Sequence, residues 1–275
     1  MKTFLKAMVP ALLIATTSYA DKLVVMESPI ESLETRVELL MHAQKTIDVQ
    51  YFTVEHDYVS IAGLALLRDA ANRGVKVRVI VDSMHNLMTR ETMSALMDNL
   101  NPDSKKNIEI REYNNFNLFR PFCYTRRMHD KSLIIDDQYL IVGDRNVASG
   151  YYNIPETHKG ESLPLFEGVD ALLAGSKSIG EAKAYFEQRW NSKDVKPVQL
   201  YNFSETELDY SFCRYTNLEN YDQCERRRQE DVRTIQQEMK NLEDAFQNVV
   251  KKNIKLITER PALKALAAEI GRAHV

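Results

Sequence analysis

Residues 126–146 read RRMHDKSLIIDDQYLIVGDRN. His129 and Lys131 stand two positions apart, so on an extended chain both side chains leave the same side. An imidazole beside an ammonium suits an anionic, phosphate-like group. The imidazole can attack or carry a proton, and the ammonium can neutralise oxygens. Asn146 follows the turn at Gly143 and offers an uncharged donor to the same oxygens. Asp136 closes the apolar run and can hold backbone or side-chain donors. The pattern is H-x-K-x-x-x-x-D followed by G-x-x-N. No Cys/His group has zinc spacing.

Elements must carry these residues. KLVVM (22–26), TIDVQYFTV (46–54), VKVRVIVD (75–82) and IEIREY (108–113) read as strands. SLIID (132–136) and YLIVG (139–143) are two more apolar runs, joined by Asp137-Gln138. Helical spacing appears over 31–44, over 58–73 with a stop at Asn72-Arg73-Gly74, over 89–99, and over 169–190. Strand–helix–strand order predicts an α/β fold with a mixed, mostly parallel sheet flanked by helices. From about residue 205 the chain turns highly charged and helix-forming, which predicts a solvated helical linker.

Composition bounds the rest. The 275 residues are 44% hydrophobic and 27% charged, with a formal net charge of −3. That suits a folded domain and shows no global basic excess for nucleic acid. Lys2 and Lys6, the apolar stretch Ala7–Ala15 and Ser18-Tyr19-Ala20 form a secretory signal pattern, cut before Asp21. A periplasmic or secreted protein follows. Export permits disulfides. Cys213 and Cys224 could close a short loop, leaving Cys123 over; connectivity stays open.

MHDKSLIIDDQYLIVGDRN resembles the HKD motif of the phospholipase D superfamily. DVQYFTVEHDYVSIAGLALLRDAANRGVKVRVIVDSM resembles the first helix–strand unit of exported bacterial members related to cardiolipin synthases. YFEQRWNSKDVKPV resembles the segment closing their first lobe, so the likeness covers about residues 23–200. The resemblance implies a phospholipase D-like HKD domain over 21–200. It also implies a mechanism that uses neither metal nor cofactor, in which one HKD histidine attacks phosphorus, forming a phosphohistidine. A second HKD histidine protonates the leaving alcohol, and water or another alcohol resolves the intermediate. Residue by residue, His129 is nucleophile or acid/base, Lys131 and Asn146 bind phosphate oxygens, and Asp136 orients.

The family holds a catalytic histidine with a carboxylate on the following strand. LFEGVDALL offers Glu167 and Asp170 there, although the family acid aligns with Gly168. Where the family has Gly, this chain has Asp144, an added carboxylate near the phosphate site. Arg126 and Arg127 are candidate headgroup contacts or a solvated pair. His56 and Asp57 line the cleft or lie on the surface. NFNLFRPFCY lines an acyl-chain entrance or simply packs.

The mechanism needs two HKD motifs, and this chain carries one. The partner histidine is expected from a second copy of the chain or from a missing second lobe. The final EIGRAHV (269–275) back-translates to a run resembling a common sequencing-library adapter. The native sequence is therefore expected to end near Ala268 here, with 201–268 as an inter-lobe segment. The implied substrate is a phospholipid at a membrane surface, by hydrolysis or by phosphatidyl transfer as in cardiolipin synthesis. The rivals are an exported HKD endonuclease acting on nucleic acid and a catalytically silent binding module. Family endonucleases are short and basic, and this chain is long and acidic. Intact His129, Lys131, Asp136 and Asn146 argue against silence.

Overall fold

The structure, a computed structural model, describes residues 22–200 except 89, 91, 92, 95, 96, 98, 99, 116–124, 154–156, 159, 160, 163, 164, 176 and 199. Beyond residue 200 it describes Arg226, Glu230, Arg233 and Gln237, all helical and exposed. The leader, the three cysteines, most of 201–268, the terminal EIGRAHV and nearly all of NFNLFRPFCY lie outside the described residues.

Strand β1 (Lys22–Met26) leads into helix α1 (Pro29–His42). Ser28 caps α1, its hydroxyl accepting from the Glu31 amide at 3.3 Å, with Pro29 in the first turn. Next come β2 (Thr46–Tyr51), α2 (Tyr58–Asn72), β3 (Lys76–Asp82) and β4 (Ile108–Tyr113). Gly74 leaves α2 at φ 96°, a conformation open to glycine and strained for other residues. The chain continues through β5 (Lys131–Ile135), β6 (Tyr139–Gly143), two short paired strands β7 (Thr157–His158) and β8 (Glu161–Ser162), then β9 (Asp170–Ala174). Helix α3 (Lys177–Trp190) and β10 (Val195–Pro197) close the unit. Among the described residues no helix is long and apolar enough to cross a membrane.

Eight strands form one sheet in the order β1-β9-β6-β5-β2-β3-β4-β10. Ile47, Val49, Val77, Val79, Leu133 and Ile135 face the core under α1 and α2. Ile80, Ile134 and Leu140 point the other way and pack with Phe186 and Trp190 of α3. Both faces are covered, which is why these strands are nearly continuous apolar runs. Among the buried polar residues of the strands, Asp48 lies beneath α3 and is paired with Arg78 at 2.7 Å and Lys183 at 2.7 Å.

The sheet is mixed, as expected, but it is not mostly parallel. Only β2–β3 and β3–β4 pair in parallel; the other five pairings are antiparallel. The connections explain this. A parallel link needs a crossover of a dozen residues or more, and α2 supplies one between β2 and β3. Between β5 and β6 only a tight turn is present, closed by Gln138 N donating to Ile135 O at 2.9 Å. Asp136 and Asp137 take φ of 54° and 56° there, which aspartate tolerates better than most residues.

The helix expected over 169–190 is also corrected. Residues 170–174 are β9, inserted between β1 and β6, and the helix starts at Lys177. Gly175, at φ 154°, separates the two.

Candidate active site

Sheet register gathers one rim. Met26 pairs with Asp170, Asp170 with Gly143, Lys131 with Tyr51, and Tyr51 with Val81. The rim therefore collects the C-terminal ends of β1, β2, β3 and β6 and the N-terminal ends of β5 and β9. Carboxyl ends of parallel strands are a common place for ligands, and β2 and β3 end here.

His129 is exposed in the extended segment leading into β5. Its ring packs on Phe52, with centroids 4.3 Å apart. Lys131 is buried as the first residue of β5, and its Nζ lies 3.2 Å from His129 Nδ1 and 3.2 Å from His129 O. That ammonium also sits 5.2 Å from the Phe52 ring centroid. Burial pushes the Lys131 pKa below the ordinary lysine range, and the charges of Asp130 and Asp144 oppose that shift.

Asn146 is buried and fixed from both sides. Its Oδ1 accepts from Thr53 N at 3.2 Å, and its Nδ2 donates to Tyr151 Oη at 2.9 Å. Thr53 follows Phe52 directly, so Asn146 belongs to the same rim as His129 and Lys131. These three expected residues are brought together. They form a cationic, hydrogen-bond-donating patch on a rigid sheet edge, open to solvent through His129.

Asp136 is not with them. It lies at the opposite end of β5, about 16 Å along the strand from Lys131. Its Oδ2 accepts from Gln44 N at 2.8 Å, and its Oδ1 accepts from Lys45 N at 2.6 Å and Thr46 N at 2.9 Å. It ties the α1–β2 connection to the β5–β6 turn, so its work is to hold backbone donors rather than to touch substrate.

Asp170 is buried at the rim but committed elsewhere. Its Oδ2 meets Arg36 and Arg145, each at 3.1 Å, and accepts from Ser32 Oγ at 2.5 Å. Its other oxygen fills the space where a Cβ on residue 143 would stand, which requires Gly143. Glu167 is exposed on the loop before β9. Arg127 donates to Asp82 Oδ1 at 2.9 Å and Asn114 O at 3.0 Å, which anchors the loop. Arg126 stays exposed, 3.9 Å from Asp194. Asp57 is the N-cap of α2 and also accepts from Ser149 N at 2.5 Å, whereas His56 is exposed.

Three rim residues were not singled out in the sequence. Phe52 is the platform under His129. Asp82 ends β3, is fully buried, and accepts from Arg127, Met84 N and Met128 N. His85 packs on Phe52 with centroids 4.1 Å apart. The available signal was an aspartate closing a parallel strand with a histidine three residues on. Asp144, which was singled out, is exposed, with Oδ1 accepting from Val169 N at 2.7 Å and occupying the space above Gly168.

The chain is similar to several known proteins. The family model described as cardiolipin synthase, PLD-like domain, matches residues 37–190. Cardiolipin synthase C of Escherichia coli (strain K12) is 30% identical over 183 residues, covering 63% of this chain and 36% of that protein. An uncharacterized protein of Helicobacter pylori (strain ATCC 700392 / 26695) is 32% identical over 203 residues, covering 66% and 38%. The chain thus spans little more than a third of the curated relatives it matches. Among solved structures, NucT from Helicobacter pylori aligns with a TM-score of 0.46 and 16% identity, over 65% of this chain and 99% of that one. Nuc from Salmonella typhimurium, described as a phospholipase D family member, aligns with a TM-score of 0.45 and 18% identity, over 66% and 99%.

Proposed function

This chain belongs to the cardiolipin synthase, PLD-like domain family, and from that premise we propose that it supplies half of a phospholipid phosphodiesterase or phosphatidyltransferase site. The observation that carries the reading is the meeting of His129, Lys131 and Asn146 on one rim. Attack on phosphorus needs the His129 tautomer with its proton on Nδ1 and the lone pair on Nε2; the Lys131 ammonium, a donor only, then turns from Nδ1 to the phosphate oxygens. Attack by Nε2 forms the N–P bond as the bond to the leaving alcohol breaks. The Lys131 ammonium and the Asn146 amide steady the non-bridging oxygens. A second histidine, from another lobe or another copy, gives its proton to the departing alkoxide. Water or a second alcohol then releases His129.

Two features support a lipid over a nucleic acid. Exposed apolar side chains flank the rim: Met84 and Leu87 just past β3, and Leu165, Phe166 and Val169 on the loop before β9. They suit an acyl-chain interface better than a phosphate–sugar backbone. The formal charge of −3 also disfavours a polyanion. The N-terminal signal pattern supports an exported enzyme, which under this reading acts outside the cytoplasm.

The test is turnover on phosphatidylglycerol vesicles and on plasmid DNA. It uses the 275-residue chain and the product of the complete reading frame at its locus, each with and without His129→Ala. Lipid turnover that depends on His129 is expected. Plasmid nicking without lipid turnover would replace the lipid reading with the nuclease one. Inert proteins throughout, with the complete reading frame included, would favour the silent binding module.

A further inference from the structure

The chain has six histidines, and His129 has a neighbour among them. His85 lies three residues beyond the buried Asp82 that ends β3. Its backbone is pinned on both sides. Its carbonyl accepts from Val54 N at 3.1 Å, its amide donates to Asp82 O at 3.2 Å, and Leu87 N donates to Val54 O at 2.8 Å. Its side chain nevertheless keeps 36% exposure at the rim.

Two contacts tie this imidazole to the site. Nδ1 lies 3.2 Å from Asp82 Oδ1. The other oxygen of that carboxylate accepts from Met128 N at 2.9 Å, so Asp82 holds both the His85 ring and the backbone entering His129. Phe52 is the second link, because its ring packs against His85 and His129 alike. A fixed ring, with one nitrogen engaged by a buried carboxylate and one left over, is the usual arrangement of a working imidazole.

We propose that His85 is a second phosphate-contacting imidazole of this site, contributed by this lobe itself, acting as the imidazolium, with Nδ1–H donating to Asp82 and Nε2–H donating to a substrate oxygen. The proposal rests on the phosphodiester reading above. It adds a donor to the set formed by Lys131 and Asn146. It also gives Asp82 the role of a positioning residue, acting through the ring it holds.

The rival explanation is that the Asp82–His85 bond only fastens the loop after β3. Two amide substitutions separate these. Asparagine places an amide nitrogen near the Nδ1 position and keeps the bond to Asp82. Glutamine reaches the Nε2 position and keeps the group offered to substrate. The probe is inorganic phosphate, titrated into the 275-residue chain while the imidazole ring protons are followed by NMR. His85→Gln and His129→Gln assign the two resonances.

Both resonances are expected to move with one half-saturation point. His85→Asn should weaken phosphate on the order of tenfold, and His85→Gln by less than about threefold. If His129 moves and His85 does not, or if Asn binds as wild type while Gln fails, the inference is overturned and the phosphodiester reading stands. If neither ring responds at about a hundred times a millimolar dissociation constant, the phosphodiester reading falls and takes this one with it.

Discussion

At the N-terminal end of β5, Lys131 is desolvated and its ammonium lies beside His129 and the Phe52 ring. At the C-terminal end, Asp136 turns away from that rim and gathers three backbone amides of the α1–β2 connection. The two residues belong to one sequence pattern and bracket one strand, Lys131 opening it and Asp136 following it, yet one faces substrate and the other faces the fold. A conspicuous spacing therefore need not be a single site. A strand of five residues is long enough to carry a chemical residue on one edge and its scaffold on the other.

The largest effect expected is on the rim. His129→Ala should abolish turnover, by at least about 10⁴-fold, because no other group replaces the nucleophile. Its exposed side chain predicts little change in Tm, which thermal unfolding would check. Lys131→Met should reduce turnover on the order of 10²-fold through loss of one charged donor. Its stability should move the other way. The folded pKa of Lys131 lies below its unfolded value, so the burial penalty is full below the folded pKa and disappears as pH rises to the unfolded one. The methionine variant escapes that penalty, and its Tm near neutral pH should equal or exceed wild type.

The opposite end should respond in the opposite sense. Asp136→Ala leaves three amides without their acceptor and should cost about 2 kcal/mol, or roughly 4–8 °C in Tm. Phosphate affinity of the folded variant should be unchanged. The smallest effect is expected at Asp144, whose charge supports the protonated form of Lys131 yet repels an anion. Asp144→Asn should tighten inorganic phosphate by about twofold near neutral pH. It should also shift the alkaline loss of binding to lower pH, because Lys131 then loses its proton more easily. A binding titration repeated across pH measures both.

Much of this rim was readable in the residues. His129 and Lys131 declare themselves by their two-residue offset, and Asn146 by its place after Gly143. Strands β1 to β6 are legible because their apolar runs are bounded by turn residues. What was hidden depends on pairing. The antiparallel placement of β5, β6 and β9 follows from turn length and from where β9 inserts, and no local periodicity encodes that insertion. The helical reading of 170–174 failed for that reason. Asp170 looked like a partner for histidine, but only the fold reveals Arg36 and Arg145 closing on it. Asp136 looked like a site residue because the α1–β2 amides it binds are some 90 positions away, with Gln44 92 residues from it in sequence. Phe52 and His85 were silent because an aromatic and a histidine after strands are common, and their meeting requires β2 and β3 to be neighbours.

The division along β5 is tested most directly by one thermal-shift series: wild type, Lys131→Met and Asp136→Ala, each with and without saturating inorganic phosphate. A ligand that binds the folded state raises Tm in proportion to its affinity. The account predicts that Asp136→Ala starts lower in Tm and keeps the phosphate increment, while Lys131→Met keeps its Tm and loses the increment. An Asp136 variant that loses the increment, or a Lys131 variant that retains it, would contradict the assignment of substrate to one end of β5 and scaffold to the other.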